Sequence, residues 1–458
     1  MPDDTNRGLD EFLKYPLVDA IRHRRSRRFS LGAEIPGGGL KYKSNQSPVG
    51  LSNLEEAILA TSAAGFSGFA LGDLAYDGGV IPEGGGGNVM AALTGRVAAS
   101  ADAVHSTSLF VINDEATYVL KRPQDLSLDD YNALSELSTA GRYEEVYEKM
   151  RIKIRDGRTS IPREVPHMFP FNKWDTNLPG TTYFLPVCDL TSMYINIVLS
   201  GLDGQMGLFF VDDRNSYRPA GLEKFGKSNG GSLHDDPKDR RIVPINYLET
   251  TIVEFMLAEQ AFMNHNLSLV EQAMGLGGWT HFATADEVSW MEALGFTMGS
   301  QTVSQILRAG RFKRLAIKLL SKNFKVPHPL GLTVAGEDVL KSYCPPYFKN
   351  MEEAVLAFLD FKRKNAFKPE LKPEYGGTWK NPEEVQEKIP DFTDETIEAT
   401  IAYCTYIYDT YGRFPAYFGP YRNTLAHQAH HLDLEFYDKF YRPGAYTSAQ
   451  AQHMERWH

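Results

Sequence analysis

The sequence predicts an α+β fold, a sheet with antiparallel pairs flanked by long helices. Three observations carry this. Short β-rich runs recur in hairpin-like pairs, 106–112 with 117–121 and 193–200 with 206–211. An uninterrupted helical pattern fills 247–274, with Leu, Met and Phe on more than one face, which predicts burial. Further helical patterns dominate the last part of the chain, at 351–363, 395–411 and 425–441.

The elements follow in order. Residues 9–28 read as a helix through the spacing of Leu13, Leu17 and Ile21, with a strongly basic end. A Gly/Pro/Ser-rich connection (32–50) leads to Ser52 or Asn53 as the cap of a helix over 54–64. Glycine recurs too often across 65–87 for regular structure, and Gly84-Gly85-Gly86-Gly87 reads as a flexible tip without the Lys-Ser/Thr of a P-loop. Asn113-Asp114-Glu115-Ala116 joins the first strand pair. Residues 126–154 read as helical, and 165–180 as Pro-rich and irregular. Asp203-Gly204 turns the second strand pair, and 212–244 is a polar excursion or lid. Gly275-Leu276-Gly277-Gly278 stops the long helix. A short helix (286–294) and a turn (294–300) follow. Residues 327–346 hold no long periodic pattern, and a Pro/Lys-rich stretch (368–390) precedes the last helices.

The chain has 458 residues and a net charge of −10, from 48 Lys+Arg and 58 Asp+Glu. Its size buries a sizeable core without staples, and its 42% apolar and 23% charged residues exclude wholesale disorder. The acidic balance argues against nucleic acid as a partner. Cys188, Cys344 and Cys404 stand far apart, giving neither a disulfide framework nor a thiolate zinc site. The polar start, Met1-Pro2-Asp3-Asp4-Thr5-Asn6-Arg7, and the lack of a long apolar run lead to the expectation of a cytoplasmic chain with no membrane partner.

Two stretches carry candidate chemistry. Arg24-Arg25-Ser26-Arg27-Arg28-Phe29 sets guanidiniums beside a hydroxyl, a set that can hold a phosphate and polyol, or simply form a solvated basic helix end. The second stretch is His427-Gln428-Ala429-His430-His431-Leu432-Asp433-Leu434-Glu435. On a helix His427, His431 and Glu435 share a face and could ligate zinc or non-haem iron. The same helix could instead pack Leu432, Leu434, Phe436 and Phe440. Gln428 stands where HExxH has its glutamate, which argues against a zinc protease. His453 and His458 fall on a tail expected to be mobile. Tyr343-Cys344-Pro345-Pro346-Tyr347 reads as a structural turn, and Asp212-Asp213 and Asp235-Asp236 as solvated acids.

The run Ala20-Ile21-Arg22-His23-Arg24-Arg25-Ser26-Arg27-Arg28-Phe29 resembles the opening of the nitroreductase family of FMN-dependent oxidoreductases, Ala-Ile-x-x-Arg-Arg-Ser-x-Arg-x-Phe-like. Four further features keep the family's order: Ala63-Ala64-Gly65-Phe66-Ser67-Gly68 after the second helix, the strand at 108–112, Gly275-Leu276-Gly277 closing the long helix, and Leu294-Gly295-Phe296 ahead of Arg311-Phe312-Lys313-Arg314. The resemblance covers residues 12–115 and 245–320, about two fifths of the chain. It implies a nitroreductase-like core over 1–325 with an insertion at about 115–245, and a mainly helical extension over 326–458. It also implies an intertwined homodimer that binds FMN and passes hydride or electrons from reduced flavin to a small organic substrate, with NAD(P)H as candidate donor.

The same resemblance places Arg24, Arg25, Ser26 and Arg28 on the ribityl chain and phosphate, and Arg311, Lys313 and Arg314 closing on that phosphate. Gly277, Gly278 and Trp279 would lie near the flavin ring, with backbone N–H groups reaching N5 and His281 as candidate proton donor. Equally, Trp279 could be a core aromatic and His281 a satisfied loop histidine. The family's Pro-Ser-x-x-Asn-x-Gln-Pro-Trp-like stretch is replaced by Gly65-Phe66-Ser67-Gly68-Phe69-Ala70-Leu71-Gly72-Asp73, where Ser67 is the substitute hydroxyl. A scaffold kept for binding, without reductase activity, is therefore an alternative to the enzyme.

Overall fold

A computed structural model describes residues 2–71, 73, 94–100, 104–122, 125–286, 288–308, 310–365 and 379–457. The fold is α+β. Its main sheet runs Gly277–Phe282, Leu425–His430, Thr182–Asp189, Thr107–Ile112, Ala116–Leu120, Arg151–Asp156, and every pairing is antiparallel. The short strand Tyr421–Arg422 also pairs with Thr182–Asp189. Alternation along the strands sends side chains to two cores. Leu109, Val111, Phe184 and Ala429 pack on the helix Asn53–Ala64 and on Met263 and Leu267. Phe110, Ile112, Leu185 and Val187 face the other side, against Trp290 and Leu294.

Local signals hold where expected. Ser52 caps Asn53–Ala64 in a capping box, its side chain accepting from Glu55 N–H while the Glu55 carboxylate accepts from Ser52 N–H at 2.7 Å. The strands Thr107–Ile112 and Ala116–Leu120 form the expected hairpin, with Asn113 Oδ1 accepting from the Glu115 and Ala116 N–H groups. The three cysteines are free and buried, and burial pushes the Cys344 thiol up to about 12.

The long helix, Ile245–Met274, is the spine of the molecule. Its buried residues are apolar and polar alike. Glu249, Gln260 and Glu271 are spaced by 11, and three helical turns take about 11 residues, so they form one stripe. Glu249 accepts from the Ala416 and Tyr417 N–H groups at 2.6 Å each, and the Gln260 amide oxygen accepts from the Thr424 hydroxyl at 2.6 Å. Glu271 accepts from His427 Nε2 at 2.6 Å. The C-terminal chain from 416 to 427 thus runs along the stripe, and Glu249, Gln260 and Glu271 each find a partner there.

That docking corrects the reading of 425–441 as one helix. Leu425–His430 is a strand inserted between Gly277–Phe282 and Thr182–Asp189, and only Leu434–Phe440 is helical. His427, His431 and Glu435 therefore share no helix face, and the C-terminal segment supplies a strand to the main sheet as well as helices. Other local readings also change. Residues 190–202 form a helix, not a strand, because Asp189 caps it by accepting from the Thr191 N–H at 2.8 Å and its side chains are buried nearly all round. Pro16 divides the first helix into Pro2–Leu13 and Leu17–His23. Residues 126–154 resolve into Leu128–Thr139, Tyr143–Met150 and the strand that begins at Arg151. The expected turn at 294–300 and the patternless stretch at 327–346 instead supply Thr297–Thr302, Lys325–Val334 and Glu337–Lys341, a three-stranded antiparallel sheet. Asp212 is fully buried, not solvated, and accepts from the hydroxyls of Tyr406 and Tyr411 at 2.7 and 2.6 Å. Gly84 to Gly87 lie outside the described residues.

Gly275 ends the long helix at φ +82°, and a Cβ there would strike the backbone oxygen of Ala449 and the Cβ of His453. The helix Ser448–Trp457 seats against the long helix through that missing side chain. Gly275→Ala is expected to lower unfolding stability by about 1–3 kcal/mol through strain and crowding, read from urea unfolding. An unchanged midpoint would contradict this packing.

Candidate functional site

After His23 the chain leaves its helix and runs extended, which sends successive arginines to different neighbours. Arg27 turns inward. Its main-chain N–H donates to Gly278 O at 3.0 Å, its Nη1 to Gln272 Oε1 at 2.9 Å and its Nε to Ala445 O at 2.9 Å. Arg28 is held by carboxylate, amide and aromatic rings together. Its Nε donates to Asp175 Oδ2 at 2.7 Å and its Nη2 to Asn172 Oδ1 at 3.0 Å. The guanidinium carbon lies 3.7 Å from the Trp279 ring centre and 5.1 Å from that of Trp174. Burial pushes the Asp175 carboxyl up to about 6 even with Arg28 opposing. Arg24, Arg25 and Ser26 stay exposed, with Arg25 Nη1 donating to Gly444 O at 3.0 Å.

These residues border a cavity of about 550 Å³. Arg25, Ser26 and Arg28 line it together with Trp174, Phe436 and Tyr441. The aromatic wall is built by Phe29, which stacks on Phe436 with ring centres 4.0 Å apart and lies 6.1 Å from Trp174. Tyr437 Oη accepts from the Phe29 N–H at 3.2 Å, and burial raises the Tyr437 pKa well above the usual tyrosine range, so its hydroxyl stays protonated. The cavity lining thus combines cationic and aromatic side chains.

The other sequence-predicted residues fall elsewhere. Arg24 does not line the cavity. Arg311, Lys313 and Arg314 stand on the exposed helix Arg311–Leu319 and do not line it either, so the two basic clusters are not brought together within the described chain. Ser67 is exposed on Phe66–Phe69, a strand paired with Thr94–Arg96 away from this lining. Gly277 and Gly278 sit in a strand rather than a loop. A Cβ on Gly277 would meet Leu432, and one on Gly278 would meet Gln428 O and the Glu271 carboxylate, so both serve close packing.

The register of that strand puts Trp279 and His281 on the same sheet face as Gln428 and His430. Trp279 stacks on His281 with ring centres 4.1 Å apart. His281 Nδ1 lies 2.7 Å from Phe282 O, and a carbonyl only accepts, so Nδ1 carries the proton and Nε2 is a lone pair. Burial lowers the His281 pKa to about 4. At neutral pH this imidazole is an acceptor and not the acid expected of it. Trp279 Nε1, His281 Nε2 and both Gln428 side-chain polar atoms are buried without a protein partner. Trp174, Asp175, Tyr437 and Tyr441 escaped the sequence reading. The last two had a signal in the i, i+4 aromatic spacing of Phe436, Tyr437, Phe440 and Tyr441, while Trp174 lay in a Pro-rich stretch with no period.

A histidine whose folded pKa lies below its unfolded value of about 6.5 binds its proton more readily when unfolded. Its contribution to stability is therefore present above pH 6.5 and lost as pH falls toward 4. The stability of wild type relative to His281→Gln should decline across that window in urea titrations at successive pH values. A pH-independent difference would contradict the buried, neutral assignment.

No family model and no curated protein matches this chain. Among solved structures, a putative nitroreductase from Ralstonia eutropha JMP134 is similar over 62% of this chain and 76% of that chain, at 13% identity and a TM-score of 0.27. A superposition that loose assigns neither fold nor activity to this chain.

Proposed function

We propose that the protein is an FMN-dependent oxidoreductase that passes hydride or electrons to a small organic substrate, with NAD(P)H as candidate donor. The observation that supports this most is the cavity beside Arg25 and Ser26, where exposed cationic and hydroxyl donors meet a wall of aromatic rings. The donor set fits the cofactor. A phosphate asks for guanidinium and hydroxyl donors, and a flat ring system asks for aromatic walls. Buried polar atoms without partners on Trp279, His281 and Gln428, next to Arg28, add hydrogen-bonding capacity that a polar heterocycle or ordered water can use.

In this reading Arg25 and Ser26 hold the phosphate, because Arg27 and Arg28 are already committed within the protein. Arg28, pinned by Asp175 and Asn172, contributes a fixed positive charge beside the site. Trp174, Phe436 and Tyr441 exclude water from the ring face, and the Tyr437 hydroxyl keeps its proton for donation. Bound FMN would supply the hydride and electron transfer itself. Leu13, Leu17, Val18 and Ile21 stand exposed just before the arginine run, an apolar stripe that supports pairing of two copies as a homodimer.

The test is direct titration of the full chain with FMN, followed by flavin fluorescence. Wild type is expected to bind, and NAD(P)H to bleach the visible absorbance of the complex. Arg25→Ala with Ser26→Ala removes exposed side chains and should weaken binding by roughly 10- to 100-fold. A wild-type chain that takes up no FMN, or a folded double variant of unchanged affinity, overturns the proposal.

A further inference from the structure

We propose that Glu55, His431 and His453 form a binding site for a divalent first-row transition-metal ion, separate from the flavin reading and independent of it. The three residues come from the first turn of Asn53–Ala64, from the position just after the inserted strand Leu425–His430 and from the helix Ser448–Trp457. One ligand atom from each lies within 4.8 Å of the other two. His431 Nδ1 is 3.1 Å from His453 Nε2, and His453 Nε2 is 3.3 Å from Glu55 Oε1. A tetrahedral ion with ligands at about 2.0–2.1 Å spaces them about 3.3 Å apart, so these two separations match a coordination shell, and the third, between His431 and Glu55, lies within 4.8 Å.

The surroundings orient the ligands as metal sites do. His431 Nε2 lies 3.3 Å from Gly50 O, so that nitrogen carries the proton and Nδ1 presents its lone pair to the cluster. Glu55 Oε2 accepts from the Ser52 N–H and hydroxyl at 2.7 and 2.8 Å, which fixes the carboxylate with Oε1 toward His453. His431 and His453 are 2% and 8% exposed, so their positions are set by packing rather than by solvent. His453 takes part by releasing the Nε2 proton to Nδ1, which keeps the imidazole neutral.

Two imidazoles and one carboxylate suit zinc or ferrous iron and leave coordination positions open. Those positions have room. All three residues line a cavity of about 540 Å³ with Phe12, Tyr15 and Ile58, and it shares no lining residue with the arginine cavity. The site is thus of the open kind that admits water or a small ligand beside the metal.

The full chain, stripped with a chelator and dialysed, is titrated with Co²⁺ alone and followed by visible d–d absorption. Zn²⁺ alone is then followed by the shift of the thermal midpoint. Wild type is expected to take up one equivalent of Co²⁺ and to be stabilised by Zn²⁺. His431→Gln and Glu55→Gln should each weaken Co²⁺ binding about tenfold or more, while the exposed His265→Gln binds as wild type. Absence of a stoichiometric site in wild type overturns the proposal, whatever the variants do. So does undiminished binding by a folded His431→Gln, His453→Gln double variant.

Discussion

The structure depends on a stripe of buried polar side chains along one helix. Glu249, Gln260 and Glu271 face the interior of Ile245–Met274 over about 33 Å. Leaving one without a partner would cost about 1–3 kcal/mol for the neutral Gln260 amide and about 3–5 kcal/mol for a charged carboxylate. Their partners include Ala416, Tyr417, Thr424 and His427, residues more than 150 positions away. The C-terminal chain is therefore laid along the helix in one register, and Leu425–His430 is delivered to the gap in the sheet. A shift of that register would cost each polar group of the stripe its partner in the C-terminal chain, leaving Glu249 with the Tyr194 hydroxyl and Gln260 with Pro186 O.

Both cavities follow from that placement. Past His430 the chain emerges between the two sites. His431 falls beside Glu55, and Phe436, Tyr437 and Tyr441 fall beside Phe29 and the arginine run. The Arg27 backbone then bonds Gly278 on the edge strand, and its side chain bonds Gln272 on the helix. The N-terminal arginines are thus anchored to the same helix and strand that the C-terminal segment completes. Chain ends that are remote in sequence meet at one place because the spine has polar groups to satisfy there.

What the sequence disclosed, and what it hid, divides along the range of the forces involved. The Ser52 cap, the 107–120 hairpin and the long helix were legible because each is signalled by residues within a few positions. The strand Leu-Ala-His-Gln-Ala-His (425–430) was not. Its histidines repeat at helical spacing, and only pairing with strands near 182 and 277 makes it extended. The run Met193-Tyr194-Ile195-Asn196-Ile197-Val198 read as a strand from its β-branched residues, yet the Asp189 cap and burial on all sides make it a helix. The arginine cluster was visible as chemistry, but the division between committed Arg27 and Arg28 and exposed Arg25 was not, since it rests on Asp175 and Gln272. The pair formed by His453 and Glu55 was hidden twice over, one on a tail expected to be mobile and the other inside a capping box. The 11-residue spacing of Glu249, Gln260 and Glu271 was the unread signal that something polar must cover the long helix.

Native-state hydrogen exchange on the full chain tests the stripe most directly. The Ala416 and Tyr417 amides, which donate to Glu249, and the amides of 425–430 should exchange only through the same global opening as the core of Ile245–Met274, with the same denaturant dependence. Fast exchange of 416–430 while the long helix stays protected would contradict the account, because the C-terminal chain would then be an appendage and not the partner the helix requires.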